Sequence, residues 1–253
     1  MTLSVVTVSF NASSTIEDTI RSVAAQSHSD REHIIVDGAS TDGTVEIIKR
    51  NKSLLSKWIS EPDNGLYDAM NKGLSMASGE YVGFLNADDL FATPHALSEI
   101  AEAIDRNMPD AVFADSVIVD PNDITRVRRY YTSRSFQPWQ FRFGHMPPHS
   151  TTYIRRDLLN ELGGFKTRYD ISADFELLAR VFVKKSASYV QIPKTLTIQR
   201  AGGVSTQGLK STLEINRQIN RCLKENNIYT NPLILWSRYI LKIFQYIRRP
   251  KDY

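Results

Sequence analysis

Over the first 90 residues, apolar runs of strand length alternate with segments of helical period, and this alternation constrains the fold more than any other feature. Residues 3–10 are apolar and β-branched, and 33–36, 58–60 and 81–85 form three further runs. Between them, residues 15–26 place apolar side chains at 16, 20, 23 and 24 behind a polar start. A second helix begins near Val45 and a third covers 66–77. Parallel neighbours need a crossover, so strand–helix alternation predicts a mostly parallel, doubly wound α/β sheet.

The pattern loosens afterwards. A helix is predicted over 95–106, a strand over 111–115, and a hairpin of 117–119 with 125–131 around Asp120-Pro121-Asn122-Asp123. A strand over 150–154 and a short helix over 157–162, closed by Gly163-Gly164, follow. Then come a helix over 173–184, a strand over 187–192 and a helix over 209–226. Residues 132–148 carry Pro138, Gly144, Pro147 and Pro148 without a period, which predicts a long functional loop. No internal repeat or Gly/Ser linker interrupts the chain. The simplest partition is one compact domain over residues 1–207 and a helical extension over 208–253.

At 253 residues and 42% hydrophobic, the chain can bury a substantial core. A net charge of +3 gives no ground for nucleic-acid binding. Cys222 is the only cysteine, which excludes an intrachain disulfide and fits a reducing compartment. Residues 1–6 read as a strand and not as a signal peptide. No apolar run reaches the ~18 residues that span a bilayer. The expected location is therefore cytoplasmic, at most peripheral at the inner face of the plasma membrane.

The tail from Pro232 changes character. Ile234, Leu235, Trp236, Tyr239, Ile240, Leu241, Ile243, Phe244 and Ile247 are large and apolar, while Arg238, Lys242, Gln245 and Arg249 form a polar stripe at helical spacing. Arg248, Arg249 and Lys251 close it. Such a helix either packs on the domain or lies in an anionic membrane surface.

Chemistry concentrates at the strand ends. They fall at Phe10-Asn11, Asp37, Asp63, and the Asn86-Ala-Asp88-Asp89 turn after the run Tyr81-Val-Gly-Phe-Leu85. In parallel strands these ends share one sheet edge, where open α/β sheets bind ligands. Adjacent carboxylates repel and lose solvation, so the functional expectation is a divalent cation with a phosphorylated ligand; an ordinary acidic turn capping the helix that starts near Pro94 is the plain alternative. Asp37 can accept the imide proton of uracil or pair with guanine; an ordinary helix cap at Ser40-Thr41-Asp42 is the plain alternative.

In that order, Val5-Val6-Thr7-Val8-Ser9-Phe10-Asn11, Val36-Asp37-Gly38-Ala39-Ser40-Thr41-Asp42-Gly43-Thr44, Glu61-Pro-Asp63-Asn64-Gly65-Leu-Tyr67-Asp68-Ala-Met-Asn71-Lys72-Gly73, Leu85-Asn86-Ala-Asp88-Asp89, and Gly163-Gly164-Phe165 with Ala173-Asp174 resemble the inverting family-2 glycosyltransferases of GT-A fold. The resemblance covers about residues 3–205 and points to the bacterial polysaccharide-biosynthesis type. It implies that Asp37 recognises the base. The Asp-x-Asp signature becomes Asn86-Ala-Asp88, which assigns Mg²⁺ or Mn²⁺ to Asp88 with Asp89 as helper. The Glu-Asp motif becomes Ala173-Asp174, which leaves Asp174 as the catalytic base.

His149 is a further candidate for the metal or the phosphates, or a packed structural histidine. Phe10, Asn11, Asp63, Lys72, Asn86 and Arg200 are candidates for the donor, with Lys72 and Arg200 neutralising phosphate or simply lying on the surface. Gly202-Gly203-Val204-Ser205 resembles a late flexible loop of the family. Trp139 and Phe141 either stack on a sugar or anchor their loop.

The implied reaction moves one sugar from a nucleotide-diphosphate donor, expected to be a UDP-sugar, to a glycan or lipid-linked glycan acceptor. A processive synthase is disfavoured because the Gln-x-x-Arg-Trp signature is missing. A sugar nucleotidyltransferase would need glycine after strand one, and Val8-Ser9-Phe10-Asn11-Ala12-Ser13 has none. A non-catalytic nucleotide-sugar-binding module stays open through Asn86 and Ala173.

Overall fold

The computed structural model of the chain describes residues 1–202, 209–247 and 250. Four strands open it: β1 (Leu3–Ser9), β2 (Arg31–Asp37), β3 (Lys57–Ser60) and β4 (Tyr81–Phe84), linked by α1 (Ile16–Ala24), α2 (Thr44–Arg50) and α3 (Leu66–Met76). They pair in parallel in the order β3-β2-β1-β4. β5 (Leu90–Phe91), α4 (Ala96–Asn107), β6 (Ala111–Asp120) and β7 (Asp123–Tyr131) follow, then β8 (Tyr153–Arg155), α5 (Arg156–Glu161), α6 (Ala173–Ala179) and β9 (Tyr189–Arg200). The sheet continues β4-β8-β6-β9-β5, with β7 paired antiparallel to the second half of β6. The parallel character holds for the first four strands. Beyond β4 the sheet is mixed, because β8 runs antiparallel to both its neighbours, β4 and β6.

Burial on both faces explains the apolar runs. Val6, Val8, Ile34 and Val36 pack against Tyr67, Met70 and Leu74 of α3. Leu3 and Val5 point the other way, onto Leu97, Ile100 and Ile104 of α4. Adjacent residues serve opposite layers, as the two-residue period of a strand requires. Gly73 exists for this packing: a Cβ there would sit 2.3 Å from Val6 Cγ1, so α3 could not approach the sheet so closely.

Three expectations needed revision. The separate strands 111–115 and 117–119 are one ten-residue strand, β6. The strand at 187–192 runs on to Arg200; Pro193 and Lys194 sit at a register break against β6, between Ala114 and Asp115. The helix from Ala173 loosens after Ala179 into a π-helical turn, Arg180–Lys184. In the Pro-rich segment a 3-10 turn, Pro138–Phe143, buries Phe141 completely among Phe136, Phe175 and Phe182, so this ring anchors the loop, while Trp139 stays 61% exposed.

Two helices end the chain, α7 (Leu209–Glu225) and α8 (Pro232–Ile247). α8 packs against β7 and the 138–143 turn, with Leu235 buried and Leu233 and Trp236 facing solvent. Among the described residues, no helix is long and apolar enough to cross a membrane. The expectations for Gly203-Val204-Ser205 and for Ile240, Leu241, Lys242, Ile243, Phe244, Ile247, Arg248, Arg249 and Lys251 concern segments or side chains outside the described set.

Candidate active site

The parallel register brings Ser9, Asp37 and Ser60 side by side at the carboxyl edge of the sheet. Asp37 does not face outward as a base-reading group must. It is fully buried. One oxygen accepts from Ser9 Oγ (3.0 Å) and Ser40 Oγ (2.6 Å), the other from Ser40 N (2.9 Å) and Ser60 Oγ (2.7 Å). It ties three strand ends together beneath the cleft.

The groups that do face outward are its neighbours. Phe10 is 68% exposed, and its ring lies over Gly38. Asp63 Oδ1 accepts from Gly65 N, 2.8 Å away, while Oδ2 sits over Gly38, where an added Cβ would come within 2.6 Å of it. An aromatic face and a carboxylate oxygen thus border a glycine floor that only a hydrogen leaves open. Asn11, held at φ 49°, donates its backbone N–H to Ser40 Oγ and accepts from Thr41 N with Oδ1 at 3.0 Å, fixing the loop behind Phe10. Lys72 is engaged elsewhere: Nζ pairs with Glu61 at 2.8 Å and donates to Pro62 O, and the Glu61 bond raises its pKa.

β4 runs into the turn of residues 86–89, which Thr19 of α1 holds by its hydroxyl near Ala87 O and Asp89 O. Burial raises the pKa of Asp88. Burial first, and then the Asp88 charge, lift Asp89 well above the ordinary carboxylate range. Asp89 is 2% exposed and turned inward, toward Asn86 Nδ2 at 3.4 Å. Arg200 holds two partners: one arm bonds Asp88 O at 3.1 Å and the other pairs with Asp18 at 2.7 Å.

Asp88, Asp89 and His149 do not gather as a metal cluster; among the described residues no three His, Cys, Asp or Glu side chains do. The donor set still fits Mg²⁺ or Mn²⁺. Asn86 Oδ1 is a buried oxygen with no hydrogen-bond donor, close in sequence to a carboxylate whose burial penalises its own charge. Two such oxygens plus phosphate oxygens and water meet the needs of a hard cation.

Across Phe84, the last residue of β4, lies the second half of the cleft. The His149 ring stacks on Phe84 at 6.1 Å, Phe165 meets Phe84 edge-on at 4.9 Å, and Tyr67 stacks on Phe165 at 5.6 Å. Asp174, the second residue of α6, accepts from its neighbour's N–H (Phe175, 2.8 Å), and the Tyr67 hydroxyl lies 3.2 Å from the same Oδ1. Oδ2 takes no hydrogen bond among the described residues. Burial, then Asp174, raise the Tyr67 pKa, and burial lowers that of His149 against the pull of Asp174. Asp174 is therefore close to both Tyr67 and His149. Sequence reasoning gave Tyr67 no role, although its motif contains it. His149 is half-buried, and its Nε2 is a buried atom without a hydrogen-bond partner.

A family model for glycosyl transferase family 2 matches residues 4–163. An uncharacterized glycosyltransferase of Mycobacterium tuberculosis is 32% identical over 182 residues, 71% of this chain and 68% of that protein. A PGL/p-HBAD biosynthesis glycosyltransferase of Mycobacterium bovis is 28% identical over 71% of this chain and 69% of its own length. Among solved structures, Staphylococcus aureus TarS residues 1–349 with UDP-GlcNAc superposes with a TM-score of 0.67 at 18% identity, covering 96% of this chain and 73% of that one. In the UDP complex of the same protein, this chain spans 65% of the TarS chain. The mannosyltransferase PcManGT of Pyrobaculum calidifontis, in complex with GDP-Man and Mn²⁺, gives 0.64 at 22% identity over 94% and 73%. These structural likenesses establish a GT-A architecture. The family match, spread over most of the sheet just described, establishes that the chain belongs to glycosyl transferase family 2.

Proposed function

We propose that the protein is a metal-dependent, inverting transferase that moves one sugar from a UDP-sugar to a hydroxyl of a lipid-linked glycan, a repeat unit of a cell-envelope polysaccharide. The observation that carries the reading is Asp174: a half-buried carboxylate with one oxygen held by Phe175 N beside the Tyr67 hydroxyl, and the other without a hydrogen-bond partner among the described residues. Fixing Oδ1 sets the rotamer, so Oδ2 can accept the proton of an acceptor hydroxyl as that oxygen attacks the anomeric carbon. One displacement inverts the configuration, and one carboxylate on the acceptor side is enough. Asp63 Oδ2 and Phe10 are the base-reading groups in this proposal: the carboxylate accepts an imide proton while the ring stacks on the base. Asn86 and Asp88 would hold Mg²⁺ or Mn²⁺, which neutralises the departing diphosphate.

UDP as donor is supported by the TarS complexes with UDP and UDP-GlcNAc, although PcManGT was captured with GDP-Man. An envelope acceptor is supported by a 44% identical stretch of 90 residues in the putative teichuronic acid biosynthesis glycosyltransferase TuaG of Bacillus subtilis. Leu233 and Trp236, exposed on α8, suit contact with the cytoplasmic membrane surface that would carry such an acceptor.

The test is Asp174→Asn with a screen of nucleotide sugars in Mn²⁺. Transfer is expected to fall by about 10²–10⁴-fold while donor-induced thermal stabilisation persists. Intact transfer by the variant would refute the assignment.

A further inference from the structure

Where α8 packs on β7 and the 138–143 turn, the chain collects positive charge that it does not neutralise among the described residues. Arg238 of α8 is 6% exposed. Its Nη1 lies 2.8 Å from the place a Cβ on Gly144 would take, its Nη2 reaches the Tyr239 hydroxyl at 3.1 Å, and its Nε is buried with no acceptor. Arg142, two residues before Gly144, likewise buries Nε without an acceptor and lies over the Phe143 and Tyr229 rings. Arg129 of β7 bonds Gln245 at 2.6 Å and lies 4.9 Å from the Tyr131 ring centre.

Among the described residues, none of the three has a carboxylate within ion-pair distance. Burial, only partly opposed by Tyr131 and Tyr246, lowers the Arg129 pKa, and the nearby Arg238 lowers it further. Buried guanidinium groups without a counter-charge are costly, and aromatic faces compensate only part of the loss. Phe141, the residue before Arg142, packs its ring 5.1 Å from that of Phe175, the residue after Asp174, and α8 packs on the same turn and on β7, which sets the cluster beside the reaction centre.

We propose that Arg129, Arg142 and Arg238 seat a phosphate group carried by the acceptor, placing the sugar next to it beside Asp174. Forked guanidinium donors match phosphate oxygens in pairs, which lysines would not do. The inference rests on the reading of Asp174 as base, and it narrows the acceptor to a phosphorylated one. A lipid carrier and a soluble phosphoglycan offer the same group.

The experiment follows thermal unfolding of the full chain in phosphate-free buffer with saturating UDP and Mn²⁺, then titrates inorganic phosphate. Wild type should be stabilised by phosphate beyond the UDP shift. In Arg238→Met and Arg129→Met the phosphate midpoint should rise at least about tenfold. Arg238→Met should melt no lower than wild type before phosphate is added, since it removes an unneutralised buried charge. Lower melting there, or an unchanged phosphate response, would mean a structural anchor and overturn the proposal.

A UDP shift with no phosphate response would sink this inference alone; a missing UDP shift would sink the donor reading and this inference with it. Flotation with vesicles of phosphatidylcholine plus a polyprenyl monophosphate, compared with phosphatidylcholine alone, separates the sources. Selective flotation lost in Arg238→Met assigns a lipid carrier, and a phosphate response without flotation assigns a soluble phosphoglycan.

Discussion

Glu32 offers a test of the scaffold that leaves the cleft untouched. It lies near the amino-terminal end of β2, 6% exposed, at the edge of the sheet opposite the acids discussed above. Its carboxylate accepts from Ser4 Oγ, from the N–H and hydroxyl of Ser78, and from Gly79 N, and it pairs with Lys57 at 3.5 Å. One side chain therefore joins β1, β3 and the turn into β4 to its own strand. Burial works to raise its pKa, but those hydrogen bonds outweigh it and hold the group down to about 2, against an ordinary 4.5. A shift of that size corresponds to on the order of 3 kcal/mol of pH-dependent stability. Screening on the exposed Lys57 side trims this to about 2 kcal/mol.

Glu32→Gln turns an amide donor toward the Ser78 and Gly79 N–H groups, so the whole contribution should go at neutral pH. For a chain of this size, melting should drop by about 4–8 °C. The folded pKa is depressed, so the stabilisation is complete above 4.5 and fades as pH falls toward about 2. Wild type and variant should therefore converge on acidification, read by urea or thermal melts between neutral pH and about 2.5. A gap that stays constant over that range, or no gap at neutral pH, would refute the charge argument.

Gly83→Ala should destabilise by about 1–3 kcal/mol in urea melts, since its Cβ would fall 2.4–2.6 Å from three atoms of the buried Tyr153 ring; adding Tyr153→Leu should recover part of the loss. Arg180→Met should cost about 3–5 kcal/mol, because Arg180 and Glu176 form a 2.7 Å pair with almost no exposure, and the same arginine also bonds Leu162 O and Gly164 O. Calorimetric titration of UDP into Asp63→Asn should show about tenfold weaker binding if Asp63 reads the imide proton, and unchanged affinity would return that role to other groups.

Much of this was legible in the residue order. The four parallel strands and three crossover helices follow from period and burial alone, because a strand buried on both faces has to be continuously apolar. The acids at the sheet edge were legible too, but their orientation was not. An acid before a Gly-Ala-Ser turn looks the same whether it faces out or in; for Asp37 the answer lies in Ser9 and Ser60, on other strands. The ion pairs of Lys72 and Arg200 were illegible for the same reason, since their acidic partners Glu61 and Asp18 are fixed only by the helix and strand packing. Pro193 disguised half of β9, because a proline that normally ends a strand sits here at a register break. The cluster of Arg129 and Arg238 joins an edge strand to the last helix, a pairing that no local pattern encodes.

The position of β8 between β4 and β6 has a consequence for how the molecule comes into being. Residues 1–84 can assemble their parallel layer from neighbouring segments, whereas β8 must return from residue 153 to close against Tyr81, Val82 and Gly83. Long-range pairing of this kind is slow, and a growing chain emerges amino end first. On the ribosome, then, the four-stranded parallel layer emerges well ahead of the helix bearing Asp174. Until β8 arrives, β4 keeps one unpaired edge, so the nascent sheet is open at the very strand that leads into the Asn86–Asp89 turn.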